Sequence, residues 1–227
     1  MKSFASKVNS FNQNLQFKLP LPTGIDVMNP FQNENVQKIS KAFYDKFYDD
    51  NKTRKLILGI NPGRLGAGST GIPFTDTKRL ESECNIDLAQ FHTHEPSSVF
   101  IYEVINSYGG PEAFYQDFYI NSVCPLGFLR LNSKGNWVNC NYYDFPELFE
   151  VTKNYIKENI ATQIKMGVNT EVVYILGKKN AKFFKLINDE ENFFNKIVAL
   201  DHPRYIVQYK SKEMDRYVQD YLNKLEN

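Results

Sequence analysis

The chain has 227 residues, 42% hydrophobic and 23% charged, and its 27 Lys and Arg against 26 Asp and Glu leave a net charge of +1. This is the composition of a globular domain with its own core, and it excludes a disordered chain, a collagen and a membrane bundle. A charge so near zero neither demands nor forbids a nucleic-acid partner, so a local patch has to carry that case.

Residues 1–16 read as a polar helical arm. No apolar run of signal length follows the two early lysines, and no stretch approaches the ~20 apolar residues that span a bilayer. A soluble, cytoplasmic protein is expected. The proline-rich stretch 17–31 reads as an extended lead-in. Residues 33–49 place Val36, Ile39, Phe43 and Phe47 at helical spacing, which predicts an amphipathic helix. KLILGI at 55–60 is a continuous apolar run and predicts a strand buried on both faces. It runs into Asn61-Pro62-Gly63 and a loop with further glycines at 66, 68 and 71. A helix over 98–108 closes at Gly109-Gly110. A second strand, 118–124, ends in Pro125-Leu126-Gly127. A helix follows over 146–165, with Pro146 in its first turn. The third strand, 171–176, ends at Gly177 and leads to a helix over 178–188. The fourth, 196–201, ends in His202-Pro203, and a last helix covers 211–225.

Strands alternating with helices predict a single α/β domain over 1–227, with three α/β/α layers around a four-stranded parallel sheet. Ligands bind such sheets at the carboxyl ends of the strands. That rule collects loops 61–74, 124–130, 177–180 and 202–210 at one edge. The first of them lacks the spacing of the dinucleotide fingerprint and of the P-loop. Its glycines still let a backbone approach a ligand closely. Asn61 either orients a water through its amide or only caps the turn before Pro62. Phe74 either stacks on a base or packs in the core. His202 either donates a hydrogen bond to a developing anion or is a satisfied structural histidine. Lys178, Lys182 and Lys185 share a helical face that suits phosphate contacts or a merely solvated surface. Cys84, Cys124 and Cys140 lie far apart with no CxxC, which argues against a disulfide framework and for a reducing compartment. With His92, His94 and His202 they make only a weak metal set, and no metal or cofactor is expected.

Several of these loops agree with one family. Gly59-Ile60-Asn61-Pro62-Gly63, Thr70-Gly71-Ile72-Pro73-Phe74 at an ungapped distance, Cys124-Pro125-Leu126 with Phe128, Leu176-Gly177, His202-Pro203 and Asn29-Pro30 resemble, in order, motifs of the uracil-DNA glycosylase superfamily. The likeness is to its single-strand-selective monofunctional type and bacterial relatives, and it spans about residues 17–225. It implies that a damaged nucleotide is flipped out of DNA and its N-glycosidic bond hydrolysed without metal or cofactor. It implies that Asn61 positions the attacking water, that His202 stabilises the departing base anion and that Phe74 stacks on the base. Gly59, Ile60 and Gly63 would offer backbone contacts to the base or its phosphate. Two departures stand out. Ser122 occupies the place of the family's Asn that reads the uracil edge, and Asn121, one step away on a strand, faces the other side. Asn139 or Asn141 is then the candidate to reach in. His202-Pro203 is followed by Arg204-Tyr205 instead of Ser-Pro-Arg, which alters the wedge segment. Arg64, Lys178, Lys179, Arg204 and Tyr205 are the expected DNA contacts. Two other classes stay open: a non-catalytic DNA- or nucleotide-binding module on the same fold, and a nucleoside- or nucleotide-metabolising hydrolase.

Overall fold

The computed structural model of the chain describes residues 2–87 and 91–226. Helix α1 (Phe4–Gln13) starts where the Ser3 hydroxyl accepts from the Ser6 N–H. Strand β1 (Ile25–Met28) and helix α2 (Glu34–Tyr48) follow, and Val36, Ile39, Phe43 and Phe47 are buried on α2. Strand β2 (Arg54–Gly59) leads to the short helices α3 (Ala67–Thr70) and α4 (Thr77–Ser82). Then come α5 (Pro96–Tyr108), α6 (Pro111–Asp117) and strands β3 (Phe118–Ser122), β4 (Gly127–Leu131) and β5 (Trp137–Cys140). Helix α7 (Pro146–Met166) opens on a proline, whose missing N–H has no partner to lose there, and stops at Gly167 with φ +113°. The chain closes with β6 (Val168–Leu176), α8 (Lys178–Glu191), β7 (Lys196–Leu200), α9 (Pro203–Tyr209) and α10 (Met214–Glu226).

Four strands pair in parallel in the order β3-β2-β6-β7. The central strands β2 and β6 are the apolar runs of the sequence, and Leu56, Leu58, Val173 and Ile175 have no exposed surface. Helix α6 packs on β2 and β3, α7 on β6, and α8 on β6 and β7. This is the three-layer α/β architecture expected from the alternation of strands and helices. No described helix is long and apolar enough to cross a membrane.

Three expectations need correction. The segment read as a loop at 202–210 is mostly helix α9. The segments read as a lead-in and as a loop at 124–130 contain β1 and β4, which pair antiparallel with β5 in a second sheet of order β1-β4-β5. Gly127 lets that sheet close onto the Asn61 loop, because a Cβ there would stand 2.6 Å from the Pro62 carbonyl oxygen. Helix α1, moreover, is a docked element and not a polar arm. Phe4, Ala5, Val8 and Phe11 form a buried stripe against α2 and α7. The Phe4 and Tyr48 rings lie 4.9 and 4.7 Å from the buried Arg54 guanidinium. Arg54 in turn donates to both Asp50 carboxylate oxygens, at 2.8 and 2.9 Å, and to the Tyr115 carbonyl at 2.7 Å.

Candidate active site

A cavity of about 400 Å³ opens at the carboxyl ends of β2 and β3, beside the exit of β7. Ile60, Asn61, Gly63, Phe74, Ser122, His202 and Arg204 all line it, together with Glu95, Asn139 and Asn141. A second cavity, about 480 Å³, lies between α1 and α7 and contains none of these residues.

Asn61 is fixed at both ends of its amide. Its Oδ1 accepts from the Tyr142 N–H at 3.1 Å, and its Nδ2 donates to the Cys140 carbonyl at 3.1 Å. The Tyr142 hydroxyl donates to Asn180 Oδ1 at 2.9 Å, and Asn180 Nδ2 donates to the Gly59 carbonyl at 3.1 Å. The segment after β5 is thereby tied to the end of β2. One lone pair of Asn61 Oδ1 is left to accept from a water.

Phe74 has a left-handed backbone, φ +56°, which a bulky side chain rarely adopts. Its ring presses on Gly59, where a Cβ would stand 3.0 Å from two ring carbons. Gly59 therefore makes room behind the ring and does not line the cavity. The ring centroid lies 6.2 Å from that of His202. Ser122 is buried at the end of β3 and faces the cavity. Asn121 points the other way, donating to the Tyr119 hydroxyl and to Gln163 Oε1 at 2.8 and 2.9 Å, as strand alternation requires.

His202 Nδ1 accepts from the Arg204 N–H at 3.2 Å and caps α9. That contact puts the ring proton on Nε2. Burial of the ring, and then the Arg204 charge, lower its pKa from 6.5 to about 4. The imidazole is thus a neutral donor at physiological pH.

The profile of the Uracil DNA glycosylase superfamily matches residues 46–226. The chain belongs to this superfamily. Among solved structures it is similar to wild-type SMUG2 of Pedobacter heparinus, with 50% sequence identity over 100% of this chain and 98% of that one, and a TM-score of 0.96. No curated protein sequence matches the chain.

In this superfamily member the expected DNA contacts are spread unevenly. Arg204 lines the cavity, whereas Arg64 and Tyr205 are exposed outside its wall. Lys178 pairs with Asp201 at 3.1 Å. Lys179 stands 3.9 Å from Asp144 and 4.8 Å from the Tyr143 ring centroid. Both lysines are exposed, and each shares its charge with an acid. Asn139 and Asn141 do reach the wall, and Asn139 Oδ1 also accepts from the Arg64 N–H at 3.3 Å.

Glu95 is the residue that sequence reasoning missed. A lone acid before Pro96 reads as an ordinary helix start. Its carboxyl lies over Gly66, where a Cβ would stand 2.0 Å from Oε2. Burial, and then Asp76, raise its pKa to about 7, while Arg204 acts in the opposite direction. The three cysteines are free and buried. Among the described residues no group of three or more His, Cys, Asp or Glu is placed to hold a metal. His94 Nδ1 instead lies 3.3 Å from Asp76 Oδ2.

Proposed function

We propose that the protein is a monofunctional DNA glycosylase that hydrolyses the N-glycosidic bond of uracil, or of a related damaged base, flipped out of DNA. One observation carries the reading. A neutral imidazole with its Nε2 proton uncommitted shares a cavity with an asparagine amide pinned at both ends.

As the glycosidic bond breaks, negative charge grows on the departing base. A fixed neutral donor stabilises that charge without first having to lose water or a proton of its own. Asn61 cannot take a proton, so its task is to hold the attacking water in line through the spare lone pair. Phe74 supplies a stacking face, and Ser122 one hydroxyl for the base edge. DNA containing the damaged base is the proposed partner, and a cytoplasmic setting belongs to the same proposal.

Single-turnover base release tests the reading. The substrates are short single- and double-stranded oligonucleotides carrying uracil, hydroxymethyluracil, hypoxanthine or xanthine. His202→Ala is expected to slow release by roughly 10²–10³-fold, and Asn61→Ala to collapse it as well. No release from any substrate by the folded wild type rejects the reading and leaves a binding module.

A further inference from the structure

Among the described residues, Glu95 is the one ionisable group of the cavity wall to which the base-excision scheme gives no task. It immediately precedes α5, and its backbone is fixed. Its N–H donates to Asp76 Oδ2 at 2.8 Å, and its carbonyl accepts from the Ser98 N–H at 2.9 Å. The bare Cα of Gly66 gives the carboxyl its place in the wall shared with Asn61, Ser122 and His202. Oε2 is shut off from water and has no hydrogen-bond partner among the described residues. A buried polar oxygen left in this way is costly until a donor arrives.

The neighbouring groups determine its proton. Asp76, fully buried at the head of α4, has its carboxylate occupied by the N–H groups of Arg79 and Glu95 and by the Ser98 hydroxyl, with His94 at 3.3 Å. Its charge, added to burial, favours the neutral acid at Glu95, and Arg204 from α9 favours the carboxylate. His202, in the same wall, stays neutral above about pH 4.

We propose that Glu95, as the neutral acid, turns its carboxyl off Gly66 into the cavity and reads the edge of the flipped base, its O–H donating to a base carbonyl and its C=O accepting from the adjacent ring N–H. A protonated carboxyl presents a donor and an acceptor side by side, as an amide does. Deaminated bases offer the matching N–H and C=O pair, whereas Ser122 has a single hydroxyl to meet it. Arg204 opposes this state only while it faces Glu95. When it turns to a DNA phosphate, its pull on the carboxyl weakens and Glu95 moves toward its reading form.

The inference rests on the cavity being a base pocket, and free uracil tests it apart from catalysis. Calorimetry with wild type, Glu95→Gln and Glu95→Ala would run from about pH 6 to about pH 8, across the Glu95 titration near 7. Wild-type affinity should fall roughly tenfold over that range as one hydrogen-bonded pair is lost. E95Q, whose amide keeps donor and acceptor at every pH, should bind equally at both ends. E95A should bind roughly tenfold more weakly than protonated wild type throughout. The Glu95 carboxyl resonance should titrate at higher pH when uracil is bound. Parallel pH profiles in wild type and E95Q, undiminished binding by E95A, or no uracil binding at all would overturn the proposal. The same preparations are assayed for base release. Release with uracil affinity indifferent to Glu95 rejects this inference alone. Binding that follows Glu95 without release supports it and rejects the catalytic reading instead.

Discussion

His202 is held neutral by burial of the ring and then by the Arg204 charge, while a backbone N–H occupies Nδ1. Its folded pKa, about 4, lies below the ordinary 6.5, so the fold binds the unprotonated ring preferentially. The stability this contributes is complete above pH 6.5 and is lost as pH falls to about 4. A shift of that size corresponds to up to about 3 kcal/mol. Urea unfolding of wild type and His202→Gln through this window should show the wild type losing that amount relative to the variant. Parallel curves would mean that the imidazole is freely hydrated. Asn61, Phe74, Ser122 and His202 were legible because each sits at a strand exit or in a Gly- and Pro-marked loop. The rejection of Asn121 was legible too, since strand alternation alone decides which neighbour faces in. Glu95 was not. Its place depends on the missing side chain of Gly66, which no local pattern connects to it.

At the scale of elements, the short antiparallel sheet matters more to the site than its size suggests. Its last strand, β5, ends at Cys140, and the next residues hold Asn61. Tyr142→Phe removes the hydroxyl that reaches Asn180 and leaves a buried acceptor unpaired, a loss of about 1–3 kcal/mol. It should also loosen the grip on Asn61, so kcat should fall several-fold while KM stays nearly constant. Urea midpoints and saturation kinetics would separate the two effects. An unchanged kcat would show that Cys140 and the backbone suffice. The long apolar strands were readable as continuous runs, but β1, β4 and β5 were not. Each is four or five residues long with partly exposed positions, and each owes its form to its neighbours. Helix α1 was misjudged for a related reason. Its lysine and asparagines mask the stripe of Phe4, Val8 and Phe11.

For the whole molecule, a net charge of +1 means that overall charge adds little to the attraction of DNA, so local cations have to supply it. The proposed contacts are a few cations around the cavity: Arg64, Arg204 and the two lysines already shared with Asp201 and Asp144. With about 2–4 phosphates neutralised, log affinity for an oligonucleotide should fall with log salt at a slope of about −2 to −4. Lys178→Ala and Lys179→Ala should each flatten it by up to about 1. A slope insensitive to both would place the phosphate track elsewhere. The overall architecture was legible because the alternation of strand and helix fixes a parallel sheet and the sheet fixes the edge where ligands bind. The distribution of charge around that edge was not, because the ion pairs that mute the lysines join residues distant in sequence.

The walls of the cavity come from the exits of β2, β3, β5 and β7 and from the start of α5. The contribution of β7, His202 and Arg204, is the last to leave the ribosome. A nascent chain that ends before β7 lacks His202 and Arg204, and also α9 and α10, against which α5 packs. Chains interrupted before β7 docks against β6 then lack part of the pocket wall as well as the imidazole. On the proposed residue roles, the order of synthesis itself delays base removal until folding is finished.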